Sequence, residues 1–464
     1  MFVPVTSSLS LLLTVWLGGV PSAAPASGGI PGAGSSPGPL ATAGAAWLGS
    51  PTCRGRAATI VGTEGNDVLV GTSGRDVIVG LGGRDVIQAE GGNDLVCGGE
   101  TPFEVDEEGE FIAERISGGA GNDVLVGGGG YDEVYGEDGD DVLLGGQLFD
   151  TVDGGPGRDR VRGGEDEDDV YGGPGRDAIF GDAGNDDLTP GTGGGPAHGG
   201  AGNDELIGSP VADTLHGDEG NDVLAGDRGN DRLFGGPGRD VASYMTISAA
   251  CSGCPQAPRI AVTVNLRTRV GGGGAFGLDR LSKIQGAYAG SGSDTFIGNA
   301  GNNLFYPGEG GSATVRGGAG SDTLVFNSAL EGSCCERVVI DLAQGRGRYF
   351  GGQMRFTSVE NVFGTAEGDV IRGDGKANRL IGGVFYDGGD VIEGRGGNDA
   401  LRGAGGDDTM DGGEGDDTLQ GARGADRLDG GAGTNRNFGG RGTDTCVNPE
   451  TGPLVVDCEA APAR

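Results

Sequence analysis

An aliphatic residue recurs at every ninth position through the middle of the chain: Leu125, Val134, Leu143, Val152, Val161, Val170, Ile179 and Leu188, then Leu206, Leu215, Leu224 and Leu233. Glycines and charged residues fill the intervals. An amphipathic helix would repeat its apolar positions every three or four residues and a half-buried strand every two, so neither fits. The spacing predicts strands of about three residues separated by turns of about six, each strand sending one side chain inward. Two blocks then make one coil, and block n stacks on block n+2.

From Gly118 to Ser243 fourteen blocks of nine run without insertion, beginning GGAGNDVLV, GGGGYDEVY and GEDGDDVLL. The sixth residue is aspartate in thirteen: Asp123, Asp132, Asp141, Asp150, Asp159, Asp168, Asp177, Asp186, Asp204, Asp213, Asp222, Asp231 and Asp240; only the block containing Gly195 lacks it. A shorter array from Gly62 to Cys97 holds Asp67, Asp76, Asp85 and Asp94 in register, before an insertion-bearing block that ends at Ser117. The pattern returns with Asp294 and Asp322, and again with Asp369, Asp390, Asp399, Asp408, Asp417, Asp426 and Asp444, while Asn303, Asn378 and Asn435 replace aspartate. Leu148, Asp166 and Val211 stand where the fourth-position glycine is the rule, which predicts weakened turns there.

Two longer segments break the period and resemble each other. Ala261-Val-Thr-Val-Asn-Leu266 matches Arg337-Val-Val-Ile-Asp-Leu342 in character, and a cysteine pair precedes each, Cys251 with Cys254 and Cys334 with Cys335. They read as duplicated strand-loop-strand insertions that continue the sheet, their alternating apolar residues forming core. The expected organisation is a signal peptide over 1–26, a Pro/Gly/Ala-rich linker over 27–52, a first short array with its insertion over 53–117, the main array over 118–243, an inserted segment over 244–288, a short array over 289–325, a second insertion over 326–363, a C-terminal array over 364–447 and a tail over 448–464. The apolar run Leu9–Val20, followed by small residues as far as Ala26, is the export signal, although no Lys or Arg precedes it. An uncleaved anchor is the rival reading, and removal of the signal would leave no segment for membrane insertion.

Composition sharpens the picture. With 106 glycines and 5% aromatic residues the chain is unsuited to an ordinary globular core. Its net charge of -36 repels phosphate backbones and anionic membranes, excludes nucleic acid as a partner, and attracts cations. Neutralising that charge would take eighteen divalent ions. Cysteines in an exported chain read as disulfides: Cys53 and Cys97 bracket the first repeats, Cys446 and Cys458 bracket the tail, and these positions suggest two terminal staples. Cys251-Ser-Gly-Cys254 has redox-motif spacing, but Pro255 and the lack of a helical pattern favour a structural or local disulfide.

In each block the glycines allow turn conformations that bring carbonyl oxygens together, and position six adds a carboxylate. Such hard oxygen ligands suit Ca²⁺, whereas His198 and His216, the two histidines, supply histidine-based zinc or iron sites poorly. On these residues the chain resembles the RTX proteins, the hemolysin-type calcium-binding repeat family with consensus G-G-x-G-x-D-x-U-x. The resemblance covers most of the chain after about Thr59. It implies an all-β, right-handed parallel β-roll, a β-helix-like solenoid of nonapeptide repeats interrupted by the two insertions, with multiple Ca²⁺ ions held by the aspartates named above and by turn carbonyls. Many relatives leave the cell by a C-terminal signal, and this chain departs from them in carrying an N-terminal one.

Catalytic signatures such as H-E-x-x-H or G-x-S-x-G are missing. The expectation is a secreted, non-enzymatic, calcium-binding protein that folds as it takes up the ions. The alternatives are an extracellular adhesin or matrix scaffold with a cell-surface or polysaccharide partner and, less favoured, a polysaccharide-active enzyme whose cleft would lie near Glu100–Glu114 or Phe326–Phe363.

Overall fold

An aspartate followed two positions later by an aliphatic residue is the smallest repeating unit, and each copy makes a short strand with its aliphatic side chain turned inward. The computed structural model describes residues 51–100, 113–245, 260–290, 292–308, 311–326, 337–383, 388–447 and 458–460. The expected signal peptide, nearly all of the linker, and Cys251, Cys254, Cys334 and Cys335 lie outside the described residues. Leu125, Val134, Leu143, Val152 and their successors to Leu233 are buried completely or nearly so.

Strands pair in parallel with partners eighteen residues away, two blocks along the chain. Val134 faces Val152, and Leu143 lies between Leu125 and Val161. Successive blocks therefore alternate between two sheets. One carries Leu125, Leu143, Val161, Ile179, Ala197, Leu215 and Leu233. The other carries Val134, Val152, Val170, Leu188, Leu206 and Leu224. The inward residues of both form one continuous core, and the architecture is a parallel β-roll. No helix among the described residues is long and apolar enough to cross a membrane.

Several strands of the first sheet are longer than the three residues that the spacing predicts. Val124–Gly129 and Val142–Gln147 each run through the following glycine pair, because identical turns stack in register and the ladder continues across them, Gly128 opposite Gly146. These two glycines take φ of 134° and 143°, a region closed to most side chains. Leu148 and Asp166 accept positive φ in the fourth-position turn, at 70° and 74°, a strain of about 1–2 kcal/mol each. Val211 does not, because its turn is rebuilt around Ser209, whose amide and hydroxyl both donate to Asp213 Oδ2 at 2.7 and 2.8 Å.

The two insertions continue the first sheet, but by a reversal that the strand-loop-strand reading did not contain. After Val241–Ser243 in the second sheet, the next described strand, Thr263–Asn265, pairs antiparallel with Val270–Gly272, which pairs antiparallel with Leu278–Ser282. Leu278–Ser282 then stacks on Arg232–Phe234 of the regular array, and Thr263–Asn265 receives Thr295–Ile297. Val339–Asp341, Arg346–Tyr349 and Gly352–Thr357 repeat this arrangement between Ser312–Arg316 and Val370–Arg372. The second sheet gains nothing at either place, since Gly286–Tyr288 pairs directly with Leu304–Tyr306, and Asn361–Phe363 with Arg379–Ile381. Each insertion thus wedges two extra strands into one sheet, and aromatic rings fill the widened core: Tyr244 packs edge-on to Phe276 at 5.7 Å, and Phe326 meets Tyr349 at 5.8 Å. Val262, Val264 and Leu266, with Val338, Ile340 and Leu342, are buried as the alternation predicts.

Two disulfides secure the ends. Cys53 is joined to Cys97 and Cys446 to Cys458.

Candidate metal centres

The aspartate of each block sits at the start of a strand, on the border between turn and ladder, and stacking places it beside the aspartate of the next coil. Asp123, Asp141, Asp159 and Asp177 form one column, and Asp150, Asp168, Asp186 and Asp204 form another. All are at most 3% exposed. Along each column one carboxylate oxygen has a fixed task. The amide of Asp123 donates to Asp141 Oδ1 at 2.7 Å, Asp141 to Asp159 at 2.8 Å, Asp150 to Asp168 at 2.8 Å and Asp168 to Asp186 at 2.9 Å.

The second oxygen is different. Oδ2 of Asp85, Asp94, Asp123, Asp141, Asp150, Asp159, Asp168, Asp177, Asp186 and Asp204 is buried and accepts no hydrogen bond, as is Oδ2 of Asp399, Asp417 and Asp426. In most of these blocks it faces the first glycine of its own block and a backbone carbonyl of the next coil, that of Gly136 for Asp123 and of Pro190 for Asp177. A methyl group added at Gly118 would stand 2.6 Å from Asp123 Oδ2 and 2.7 Å from the carbonyl oxygen of Gly136. Repeated carboxylate oxygens without a donor, set beside backbone carbonyl oxygens, form a lining of acceptors, and a hard cation is the species that satisfies it. The donor set therefore fits calcium.

Electrostatics agree. Burial, reinforced by neighbouring carboxylates, pushes the carboxyl of Asp150 up to about 9 and that of Asp204 up to about 8. Asp168, despite the amide bond it accepts, is raised by burial to about 9, and Asp123 and Asp159 to about 6. A column of such groups resists carrying full negative charge without a cation.

Not every predicted aspartate belongs to this class. Thr63 and Thr72 donate their hydroxyls to Oδ2 of Asp67 and Asp76 at 2.9 and 2.8 Å, Ser209 does so for Asp213, and Thr365 for Asp369 at 3.2 Å. The asparagine rungs close themselves in another way. Asn435 Nδ2 donates to the turn carbonyl of Gly431 at 3.2 Å, and Asn378 Nδ2 to that of Glu360 at 2.9 Å. Asp294 accepts from the Val262 amide at 2.9 Å within the first insertion.

The columns also contain members that a strict nine-residue register misses. Glu114 is buried in line with Asp132 and raised to about 9, by burial first and then by Asp132 and Asp85. Asp279 accepts from the Asp231 amide at 2.9 Å, Gln285 from Asp240 at 2.6 Å and Glu360 from Asp322 at 3.0 Å. Each lies two positions before an inward residue, Ile116, Leu281, Ala287 or Val362, and that local signal could have found them.

His198 and His216 are eighteen residues apart and so fall on neighbouring strands, with Asp218 beside them. Their ligand atoms lie within 4.8 Å of one another. The rings stack at 4.4 Å with planes 8° apart, in a row with Phe180 and Phe234. Parallel stacked imidazoles send their lone pairs side by side rather than toward one ion, so this row is an aromatic ladder.

A family model described as the RTX calcium-binding nonapeptide repeat (4 copies) matches residues 61–96, 117–152, 153–188, 163–195, 197–210, 207–242, 287–312, 307–325, 386–419 and 411–446, together more than half of the chain. No curated protein matches. Among solved structures, a hyperactive, Ca²⁺-dependent, β-helical antifreeze protein from an Antarctic bacterium is 16% identical over 83% of each chain, with a TM-score of 0.16.

Proposed function

Because the chain belongs to the RTX calcium-binding nonapeptide repeat family, we propose that it is an exported, non-enzymatic calcium-binding protein whose roll folds as the ions enter its turns. The observation that carries this reading is the double column of buried carboxylates whose second oxygen has no donor. Asp94, Asp123, Asp141, Asp150, Asp159, Asp168, Asp177, Asp186 and Asp204, with the backbone carbonyls of the turns opposite them, would hold the metal. Bound calcium supplies positive charge that cancels repulsion between stacked carboxylates, and it binds the folded state alone, so metal affinity becomes folding free energy.

Rungs closed by Thr63, Thr72, Ser209 or Thr365 need no ion, nor do those closed by Asn378 and Asn435. Export is supported by the disulfides Cys53–Cys97 and Cys446–Cys458, which persist in oxidising compartments, and by the signal-like N-terminus. A scaffold or adhesin role is compatible with the same roll.

Far-ultraviolet circular dichroism of the signal-free chain during a Ca²⁺ titration, with Mg²⁺ as control, tests the proposal. A cooperative transition to β structure with calcium alone is the expected result. A spectrum indifferent to calcium would sink it.

A further inference from the structure

The sequence carries 68 acidic residues and 32 basic ones, yet five arginines gather in one groove. The groove, about 890 Å³, opens on the outer face of the second insertion and is lined by Arg316, Arg346, Arg348, Arg355 and Arg372. Its single acidic residue, Asp341, is engaged by Arg395, whose Nη1 and Nη2 donate to it at 3.0 and 2.9 Å. Arg372 pairs with Glu393 at 3.0 Å. Arg316, Arg348 and Arg355 are exposed and have no acidic partner among the described residues.

Register makes the charge conspicuous. Arg346 lies directly opposite Arg355 across the antiparallel pair, and Arg348 opposite Gln353. Like charges placed opposite one another destabilise a sheet, so this arrangement works against the fold. The fold does not require it either. In the first insertion the corresponding strands set Val270 opposite Arg280, and Asn265 stands in the place of Asp341.

We propose that this groove binds an acidic polysaccharide, with carboxylate or sulfate groups taken by Arg346, Arg348 and Arg355. Arginine forks suit planar or tetrahedral oxyanions and keep their charge at any physiological pH. Neighbouring strands are about 4.8 Å apart, so the guanidinium groups of Arg346 and Arg355 reach adjacent anionic groups; Gln344, whose Oε1 accepts from Arg346 Nε at 2.6 Å, steadies that guanidinium, while Gln353 in the same lining offers hydrogen bonds to hydroxyls. A nucleic acid carries its charges without such neutral gaps and would extend beyond the groove onto a surface of the opposite sign, which disfavours it. The inference needs only the folded roll and does not rest on how calcium folds it.

The test is isothermal titration calorimetry on the calcium-loaded full chain, with dextran sulfate and hyaluronate as probes, neutral dextran as control and a single-stranded oligonucleotide as competitor. Binding of at least one acidic glycan that weakens with added salt is expected. Arg346→Ser/Arg355→Thr should reduce that binding at least tenfold, and Arg280→Ala at the first insertion should leave it unchanged. Circular dichroism before addition of glycan confirms that each variant is folded; if the double variant is not, Arg348→Gln alone should still lower affinity severalfold. No binding of either glycan, binding indifferent to these substitutions, or tighter binding of the oligonucleotide would overturn the proposal.

Discussion

At the scale of the residue, what separates one aspartate from the next is the partner of its Oδ2 atom. Asp150 has none, whereas Asp213 has the Ser209 amide and hydroxyl. Asn435 shows that an amide can keep the ladder bond, accepting from Asp417 at 2.8 Å, so aspartate-to-asparagine exchange alters the metal ligand while sparing the backbone. Asp150→Asn should therefore lower the bound calcium by about one ion and raise the calcium midpoint, while Asp213→Asn should leave the stoichiometry unchanged; calorimetry reads both. A pH dependence follows as well. In the metal-free roll burial raises Asp150 and Asp168 to about 9, far above the value of about 3.9 for an unfolded chain. Protonation therefore favours the metal-free fold: that contribution is complete below about pH 4 and is lost as pH rises through about 9. Calcium must displace these protons, so titrations at pH 7 should release protons, seen as a buffer-dependent heat, and the midpoint should rise as pH falls. A midpoint independent of pH between 6 and 9 would contradict the buried columns. The column aspartates were legible from their phase alone. Glu114 and Asp279 were not, because insertions shift the count, and the hydroxyl caps were not, because threonine or serine in second position gains meaning only once its neighbour's second oxygen is seen to be buried.

At the scale of the element, a strand here is one aliphatic anchor between two turns, so its stability divides between the anchor and the turn. Leu143 is completely buried between Leu125 and Val161, and Leu143→Ala should cost about 2–5 kcal/mol in calcium-loaded unfolding. Leu148 exerts the opposite leverage. Its φ of 70° costs about 1–2 kcal/mol that glycine would not incur, and the chain entropy of a new glycine takes back about 0.5–1 kcal/mol. Leu148→Gly should thus be neutral to stabilising by about 1 kcal/mol in denaturant titrations, an unusual sign for a large-to-small exchange. The nine-residue period exposed the strands because each must bury one residue per block. It could not expose the reversed strand order of the insertions, since pairing between Thr263–Asn265 and Thr295–Ile297 is a choice among registers that alternation alone does not make.

For the whole molecule, the two insertions decide the course of the rod. Three strand spacings separate Leu278–Ser282 from Thr295–Ile297 in the first sheet, while one separates Gly286–Tyr288 from Leu304–Tyr306 in the second. The first face is therefore longer by about 10 Å at each insertion, a length comparable to the distance between packed sheets, and the axis must bend toward the second sheet at both. The sequence offers a way to remove one bend. Residues 274–282 read Gly-Ala-Phe-Gly-Leu-Asp-Arg-Leu-Ser, itself a block with aspartate sixth and leucine eighth. Deleting residues 244–273 joins Ser243 to Gly274 with the period unbroken and removes both extra strands, so Thr295–Ile297 can stack on Leu278–Ser282 as their neighbours already do in the second sheet. Because each coil contacts only the coils beside it, stability in such arrays is a sum of local terms, and the deletion should leave calcium-dependent folding intact. Small-angle scattering of the calcium-loaded protein should then show a straighter particle whose maximum dimension does not fall despite the missing residues. A particle shortened in proportion to the deletion would mean that the insertions lie alongside the rod and do not bend it.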